Sequence, residues 1–327
     1  MKNILVLAEI EGNELRPEFW ELATVAKSLS ASTSCGIDVA VIGAKVDAAL
    51  EQIAKIDART VHVLEDDRLA DPWPEAHAAA LVQLCRELTP QIAILPRTVL
   101  GAEMAVRLAV HNRWQLLQDV TQVEVTSEGS LKAVRPVSGG AVMATVHAGA
   151  GPCVVVPRPR AFAPSAAASG DACTVVRHTF EPPPLRTTCG EVKRVAIEGM
   201  SVDRARVVIS GGGGLGGPEP FALLRQIADL IGGAVGASRV AVDSGWVPPA
   251  LQVGLTGKTI APDVYVAVGI SGAIQHLVGC SSSPLIVAVN SEKSAPIFGI
   301  SNYGVVGDWK EVMPAFLERL LMEQRVS

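Results

Sequence analysis

The stretch VGLTGKTIAPDVYVAVGISGAIQHLVG, Val253–Gly279, joins a continuous apolar run to a cluster of small residues. The run, Val264–Ile270, predicts a fully buried strand, and it is far too short to span a membrane. Ser271-Gly272 then opens a short predicted helix that ends near Gly279. A strand that turns into a helix through small residues directs free backbone N–H groups at a phosphate or another anion. His276 lies in the first turns of this helix, where it either faces the same ligand or is an ordinary surface histidine.

Length and composition favour a soluble protein of two domains. The chain has 327 residues, of which 49% are hydrophobic and 19% are charged, so it can form a sizeable core. The formal net charge of −5 and the 4% content of aromatic residues argue against nucleic acid or an anionic membrane as the main partner. No direct membrane insertion is expected.

Cysteine usage and the first residues point to a cytoplasmic protein. The six cysteines are scattered without a CxxC pair, which argues against an iron–sulfur or structural zinc site and suits a reduced compartment. The opening residues, MKNILVLAEI, enter a predicted strand directly and show no cleavage site of a signal or transit peptide.

The first part of the chain alternates between predicted strands and predicted helices. This alternation indicates a mainly parallel sheet with helices on both faces. From Val120 onward, predicted strands at 123–125, 131–135 and 141–146 follow one another without a helix, which indicates added antiparallel strands. The alternating part has predicted strands at 3–10, 37–42, 60–64 and 91–95, and predicted helices at 17–29, 47–56, 73–88 and 101–110.

A Pro/Ala-rich segment separates the two predicted domains. Ala161–Arg194 contains EPPP at 181–184, which cannot form a helix or a central strand. We predict that it is a surface segment with little structure, lying against one domain or a partner subunit. The predicted domains are therefore 1–194, which includes this segment, and 195–327.

The second domain begins with a predicted strand at 205–210, followed by Gly211–Gly217, in which six of seven residues are glycine. This run satisfies GxGxxG formally, but so many glycines match almost any glycine pattern. The sequence supports two roles for this run equally. It either forms a cradle for a pyrophosphate or provides plain loop flexibility. A helix is predicted at 219–231 and a strand at Arg239–Asp243.

Further predicted strands end in polar residues at one edge of this domain. The strand at 285–289 is followed by Asn290, and the strand at 303–306 is followed by Asp308, ahead of a last predicted helix at 309–322. The long irregular stretch 244–262 also follows a predicted strand end. Ligand-binding residues of doubly wound sheets lie at such positions, although each residue alone is most often an ordinary turn residue.

Several of these segments resemble one family. The chain is similar to the C-terminal FAD-binding domain of the electron-transfer flavoprotein alpha subunit, and the similarity continues more weakly to residue 1. The blocks that carry the resemblance, in the family's order and spacing, are ASR at 237–239, VGLTGK at 253–258, AVGISGAIQHL at 267–277, APIF at 295–298 and NYG at 302–304.

The resemblance implies a doubly wound C-terminal domain that holds FAD. It places Ser238 and Arg239 against the isoalloxazine, the Thr256 hydroxyl at flavin N5, and His276 at the N1–C2 carbonyl edge. Ser271 to His276 would span the ribityl-phosphate region, and Asn290 and Asp308 would bind the AMP portion. The complete set of implied cofactor-binding residues is Ser238, Arg239, Val253, Gly254, Leu255, Thr256, Ser271, Gly272, Ala273, Ile274, Gln275, His276, Asn290, Asp308 and Trp309.

Two positions depart from the family pattern. The family usually has arginine where this chain has Gly213, and glutamine where it has Leu255. The chain therefore lacks a guanidinium and an amide at the predicted site. This puts in question its affinity for the flavin, the reduction potential of the flavin and the choice of electron donor.

Three functions are therefore considered. The first is an electron carrier that pairs with an electron-transfer flavoprotein beta subunit, accepts electrons from acyl-CoA or other flavin dehydrogenases, as in fatty acid beta-oxidation, and passes them to a membrane quinone reductase. The second is the alpha subunit of an NADH-dependent electron-bifurcating flavoprotein. The third is a nucleotide-binding module of the same fold without redox work. Whether the chain is itself an enzyme stays open, because no set of acid–base or nucleophilic residues is evident in the sequence.

Overall fold

The computed structural model describes residues 3–54, 56–140, 142–149, 151–165, 173–192 and 200–324. The chain folds as two compact units, Met1–Lys193 and Arg194–Ser327. Within the described ranges, no helix is long and apolar enough to cross a bilayer.

The first unit contains twelve described strands and four α-helices. The helices are α1 (Phe19–Thr33), α2 (Asp47–Ile53), α3 (Pro74–Leu88) and α4 (Val99–Asn112). The strands are β1 (Asn3–Ala8), β2 (Ile10–Glu11), β3 (Glu14–Leu15), β4 (Gly36–Gly43), β5 (Thr60–Glu65), β6 (Ile92–Ile94), β7 (Gln115–Val120), β8 (Gln122–Val125), β9 (Leu131–Val137), β10 (Val142–His147), β11 (Cys153–Pro157) and β12 (Thr174–His178).

A seven-stranded parallel sheet forms the centre of this unit, in the order β12-β5-β4-β1-β6-β11-β7. Alternate residues of the fully buried β1 supply two cores, since Ile4 and Val6 belong to one and Leu5 and Leu7 to the other. A parallel sheet covered on both faces needs such unbroken apolar strands. The strands β10, β9 and β8 form a separate antiparallel sheet in that order, which confirms the predicted addition.

The described residues of the second unit, 200–324, form four α-helices and five strands. The helices are α5 (Pro220–Leu230), α6 (Arg239–Asp243), α7 (Ile274–Leu277) and α8 (Trp309–Gln324). The strands are β13 (Val207–Gly211), β14 (Ala234–Ala237), β15 (Val264–Val268), β16 (Leu285–Asn290) and β17 (Tyr303–Val306). They form one parallel sheet in the order β14-β13-β15-β16-β17, so the doubly wound α/β fold is confirmed.

The predicted strand at Arg239–Asp243 is wrong, because these residues form α6 and the strand lies just before them at Ala234–Ala237. The two valines in the helix favour a strand by propensity, whereas the true strand, AVGA, is poor in β-forming residues. Close packing explains this composition. A Cβ atom on Gly236 would lie 2.4 Å from Oγ of Ser210 in β13.

The prediction of little structure for Ala161–Arg194 is also wrong in part, since Thr174–His178 forms β12. This strand pairs in parallel with β5 and places Val176 opposite His62. Most of its side chains are exposed, so no alternation of apolar and polar residues marks it in the sequence. Backbone pairing and an ion pair of 2.5 Å between Arg177 and Glu65 hold it at the edge of the sheet.

Candidate functional site

The connections of the second sheet change direction between β13 and β15. The strand β14 lies on one side of β13, whereas β15, β16 and β17 lie on the other. The loops after β13 and β15 therefore meet at the carboxyl edge. There the backbone N–H of Gly212 donates to the carbonyl oxygen of Val268 at 2.9 Å, and that of Gly214 donates to Gly269 at 2.9 Å. Open parallel sheets bind ligands in the crevice at this position.

Close backbone packing requires glycine on both sides of the crevice. A Cβ atom on Gly212 would lie 2.2 Å from the carbonyl oxygen of Gly269, and one on Gly214 would lie 2.9 Å from the same oxygen. A Cβ atom on Gly272, whose φ is +84°, would lie 2.2 Å from the backbone nitrogen of Ile297. We call Gly212, Gly214, Gly269 and Gly272 the glycine cradle. These contacts show that the glycines let neighbouring loops of the protein pack closely against each other, which plain loop flexibility does not require.

A cleft of about 230 Å³ lies beside the glycine cradle. Asn290, Asp308 and Trp309 line it, so the structure brings these three predicted site residues together. The side-chain amide of Asn290 donates to the carbonyl oxygen of Ile270 at 2.9 Å, and Nε1 of Trp309 donates to that of Gly214 at 3.2 Å. Both side chains thereby join loops that follow different strands. The carboxylate of Asp308 is suited to accept hydrogen bonds from the hydroxyls of a ribose.

Ser238 follows β14 and carries a buried hydroxyl. Its backbone N–H donates to the carbonyl oxygen of Gly211 at 2.9 Å, but its Oγ has no hydrogen-bond partner among the described residues. A buried polar group without a partner costs about 1–3 kcal/mol, so the position suits a ligand that supplies the missing bond. Arg239 is exposed, and its Nε lies 3.0 Å from Oδ2 of Asp243 one turn further along α6.

The loop Val253–Gly257 is held from both ends. The backbone N–H of Val253 donates to the carbonyl oxygen of Ala237 at 2.9 Å, and that of Leu255 donates to Gln275 at 2.7 Å. Gly254 has φ +141°, a conformation that favours glycine. The side chain of Leu255 is 63% exposed, so an apolar group faces solvent here.

Gln252 is a residue that sequence reasoning missed. Its Nε2 donates to Oγ1 of Thr256 at 2.9 Å, so a buried amide orients the hydroxyl that was predicted to meet the flavin. An amide therefore reaches Thr256 even though Leu255 lacks one. The bond spans four residues of an irregular loop, and no periodic pattern in the sequence marks such a contact.

His276 is buried in α7, so the interpretation of an ordinary surface histidine is wrong. Its Nε2 lies 2.7 Å from the phenolic oxygen of Tyr265. Its Nδ1 is buried and lacks a well-formed hydrogen bond within the described part of the chain. Burial lowers the pKa of His276 to about 4, although a backbone interaction with Val253 acts in the opposite direction. The imidazole is therefore neutral near pH 7.

The remaining predicted residues form an exposed backbone segment before and within α7. Ser271, Ala273, Ile274 and Gln275 are exposed, whereas Gly272 is buried between them. The helix α7 has only four residues, Ile274–Leu277, so it is shorter than predicted and contributes little dipole. The turn that precedes it instead offers the backbone N–H groups of residues 271–273.

These features fit a nucleotide-containing cofactor. The glycine cradle brings backbone N–H groups together at the crevice where open parallel sheets bind ligands, and the buried Oγ of Ser238, which has no partner among the described residues, is a polar atom that a ligand can satisfy. The fold and the site together define a doubly wound cofactor-binding domain.

Comparisons with known proteins agree with that class. The sequence model of the "Electron transfer flavoprotein domain" matches residues 4–183, and that of the "Electron transfer flavoprotein FAD-binding domain" matches residues 201–281. The "Electron transfer flavoprotein subunit alpha" of Thermoanaerobacterium thermosaccharolyticum is 33% identical over 98% of this chain and 98% of that protein. The same-named protein of Syntrophomonas wolfei is 36% identical, over 98% and 99%. "Protein FixB" of Bradyrhizobium diazoefficiens is 35% identical, over 99% and 91%.

The chain therefore belongs to the electron transfer flavoprotein alpha subunit family. The domain matched at residues 201–281 is an FAD-binding domain, so the cofactor expected from the sequence is confirmed as FAD.

Proposed function

We propose that this chain is the alpha subunit of a heterodimeric electron-transfer flavoprotein. It carries electrons from flavin dehydrogenases, such as acyl-CoA dehydrogenases, to a membrane quinone reductase. The proposal is supported by similarity to alpha subunits along nearly the whole chain. The single structural observation that supports it lies at the carboxyl edge of the second sheet, where the buried Oγ of Ser238 has no partner among the described residues.

In this function the second domain, 195–327, holds most of the FAD. The cofactor supplies the redox chemistry by accepting and releasing electrons at its isoalloxazine ring. Asn290, Asp308 and Trp309 line the cleft and would bind the adenosine end there, and the backbone of the glycine cradle would hold the pyrophosphate.

The isoalloxazine end is bound by the other side of the site. Ser238 donates its free hydroxyl, and Thr256 presents the hydroxyl that Gln252 orients. Arg239 and the neutral His276 would face the N1–C2=O edge of the flavin, where they would supply a cation and a hydrogen-bond donor. A cation and a fixed donor at that locus stabilise the negative charge that develops there upon reduction and raise the reduction potential.

The central experiment co-expresses the chain with the beta subunit and measures bound FAD and electron transfer. We expect a yellow heterodimer that an acyl-CoA or related flavin dehydrogenase reduces. Ser238→Ala should weaken FAD retention by about three- to thirtyfold, the equivalent of a lost hydrogen bond. Ser301→Ala is a matched control, because the Ser301 hydroxyl already has a partner in the carbonyl oxygen of Phe298 at 3.2 Å. A colourless heterodimer, or one that no flavin dehydrogenase reduces, would contradict the proposal.

A second candidate is the alpha subunit of a bifurcating flavoprotein that takes electrons from NADH. One observation bears on it, because Gly213 stands where the family usually has arginine and its neighbour is the side chain of Val240. A Cβ atom on Gly213 would lie 3.0 Å from Cγ1 of Val240, so the cofactor has an altered neighbour there. The FAD content of the heterodimer separates the candidates. One FAD with AMP indicates the carrier, and two FAD with NADH as donor indicate bifurcation.

A further inference from the structure

We propose that Tyr265 is a positioning residue that fixes the proton of His276 on Nδ1, so that the side chain presents an N–H donor to the cofactor. The inference rests on the proposed function of His276 as a flavin-facing residue. Tyr265 lies in the middle of β15 and is completely buried. Its phenolic oxygen is 2.7 Å from Nε2 of His276, and the two rings are tilted by 40°.

The direction of this hydrogen bond follows from the chemistry of its two partners. Burial raises the pKa of Tyr265 well above its ordinary value, so the phenol keeps its proton. A buried O–H group must donate to an acceptor, and the lone pair of a neutral imidazole nitrogen is a stronger acceptor than a thiol sulfur. The nearby thiol of Cys280 is itself directed at the carbonyl oxygen of His276, at 3.7 Å. The hydroxyl of Ser210 also meets the phenol, and because this contact lowers the pKa of Tyr265, Ser210 is the donor to the phenolic oxygen. The phenol proton is therefore left to donate to Nε2.

The position of the histidine proton then follows. A neutral imidazole carries one N–H, and the hydrogen bond at one ring nitrogen decides which nitrogen holds it. Since Nε2 accepts from Tyr265, the proton lies on Nδ1, which interacts with the Val253 backbone but has no well-formed hydrogen bond within the described residues. The groups that face this ring are the phenol of Tyr265 on β15, the thiol of Cys280 after α7 and the backbone of Val253 in the adjacent loop.

This arrangement matters for a flavin. Reduction makes the N1–C2=O edge electron-rich, so a ring nitrogen that meets it has to donate a hydrogen bond. With the proton on Nε2 instead, the Nδ1 lone pair would face that edge and repel it. Tyr265 acts through His276 and needs no contact with the cofactor.

The first measurement is ¹⁵N NMR of histidine-labelled heterodimer between pH 6 and pH 8. The chain has six histidines, so His276→Gln assigns the signal. We expect an unprotonated Nε2 and a protonated Nδ1 in the wild type. Tyr265→Phe should shift the ring toward the Nε2–H form. Tyr303→Phe is the matched control, since this other tyrosine is 66% exposed on β17, and the ring should keep its wild-type form. A wild-type ring protonated on Nε2, or a Tyr265→Phe ring unchanged from wild type, would overturn the inference.

A second test does not depend on the correct folding of Tyr265→Phe, because it uses a tyrosine analogue that preserves the packing. The chain has two tyrosines, so 3-fluorotyrosine in a Tyr303→Phe background places the label at Tyr265 alone within this chain. Fluorine makes the phenol a stronger acid and hence a stronger donor. The Nε2 signal should move toward its protonated position, and an unmoved signal would overturn the inference.

The second measurement separates this inference from the proposed function. The reduction potential of bound FAD should be lower in Tyr265→Phe and in His276→Ala than in the wild type. In the double variant the potential should be no lower than in His276→Ala. If His276→Ala leaves the potential unchanged while the NMR result holds, the flavin contact of His276 is overturned and the control of its proton by Tyr265 stands. Additive shifts in the double variant would overturn the claim that Tyr265 acts through His276.

Discussion

The Nδ1 atom of His62 lies 3.0 Å from the Nε2 atom of His178, and this contact joins β5 to β12 in the first unit. The chain of polar contacts continues on both sides. Nδ1 of His178 is 3.0 Å from the Glu87 carboxylate on α3, and Nε2 of His62 is 3.9 Å from the Asp38 carboxylate on β4. Arg59 pairs with Asp38 at 2.7 Å. The facing nitrogens of the two rings share one proton, so both cannot carry one at the same time.

Acid should therefore loosen β12. The pKa of His62 is lowered chiefly by burial and also by His178 and Arg59, while Asp38 and Glu87 act against this. The folded state then binds fewer protons than the unfolded state. This contribution to stability is present above the ordinary histidine pKa of about 6.5 and is lost as pH falls below it.

Hydrogen exchange measures this loosening directly. After correction for the intrinsic rate, amides of Thr174–His178 should lose protection by roughly tenfold between pH 7.5 and pH 5.5. His178→Gln should reduce this dependence, because it replaces the ring that faces Nδ1 of His62 with a neutral amide that can still donate or accept a hydrogen bond. The exposed His147→Gln is the control and should behave like wild type. Equal protection of β12 at both pH values would contradict the prediction.

Gly212→Ala should destabilise the second unit. The added Cβ would lie 2.2 Å from the carbonyl oxygen of Gly269, so the two loops at the crevice would have to separate. We expect a loss of about 1–3 kcal/mol in the free energy of unfolding, together with weaker FAD retention. Gly299→Ala is the control, because a Cβ there meets no atom within 4 Å. Urea unfolding and FAD release test both effects, and equal behaviour of the two variants would refute the steric argument.

Restoring the family's arginine at Gly213 should require a second change. Gly213 is not in the left-handed region, so its backbone accepts a side chain. The added Cβ would nevertheless press against Val240 at 3.0 Å. We expect Gly213→Arg alone to bring little gain in FAD affinity, and Gly213→Arg with Val240→Ala to tighten binding at low salt, by roughly tenfold for one charge-assisted bond.

Leu255→Gln should leave the affinity for FAD almost unchanged, since Gln252 already donates an amide hydrogen bond to Thr256. FAD fluorescence recovery at two salt concentrations measures all of these variants. The interpretation would fail if Gly213→Arg alone bound FAD as tightly as the double variant. A large gain from Leu255→Gln would show that Gln252 does not fulfil that role.

Glu21→Gln should stabilise the first unit at alkaline pH. Burial raises the pKa of Glu21 to about 7, even though its carboxylate accepts a backbone hydrogen bond from Arg160 at 2.6 Å. The folded state thus holds a proton that the unfolded state releases, and the stability it provides is lost as pH rises from about 4.5 through about 7.

The variant has no such proton to lose. Between pH 5 and pH 8 its free energy of unfolding should fall by about 1–3 kcal/mol less than that of wild type, after allowance for partial solvent access. The exposed Glu51→Gln on α2 serves as the control. Chemical denaturation at the two pH values is the measurement, and parallel loss of stability in wild type and Glu21→Gln would argue against the raised pKa.

The parts of the fold that could be predicted are those encoded by continuous apolar runs. Val264–Val268 and Asn3–Ala8 are buried on both faces, and their composition alone indicates central parallel strands. Gln115–Val120 was not predicted as a strand because polar residues interrupt it, and the missed β12 is mostly exposed. In both cases pairing with a distant strand, rather than local composition, determines the structure.

The residues of the candidate site also fall into those that the sequence could predict and those that it could not. Asn290 and Asp308 could be placed because each follows a strand at the carboxyl edge of a parallel sheet. The burial of His276 could not, because it depends on Tyr265 and on the loop at Val253, which approach it through the fold. The amide of Gln252 was missed for a related reason, since an irregular loop turns it toward Thr256.

The position of β12 has a practical consequence for work on the first unit alone. The strand is supplied by the connecting segment and covers the edge of β5, Thr60–Glu65. A recombinant fragment that stopped at residue 165 would leave that edge with unpaired backbone groups, which is a template for pairing between molecules and for aggregation. Extending the fragment through His178 keeps the edge covered, so solubility on expression depends on a few residues that look dispensable in the sequence.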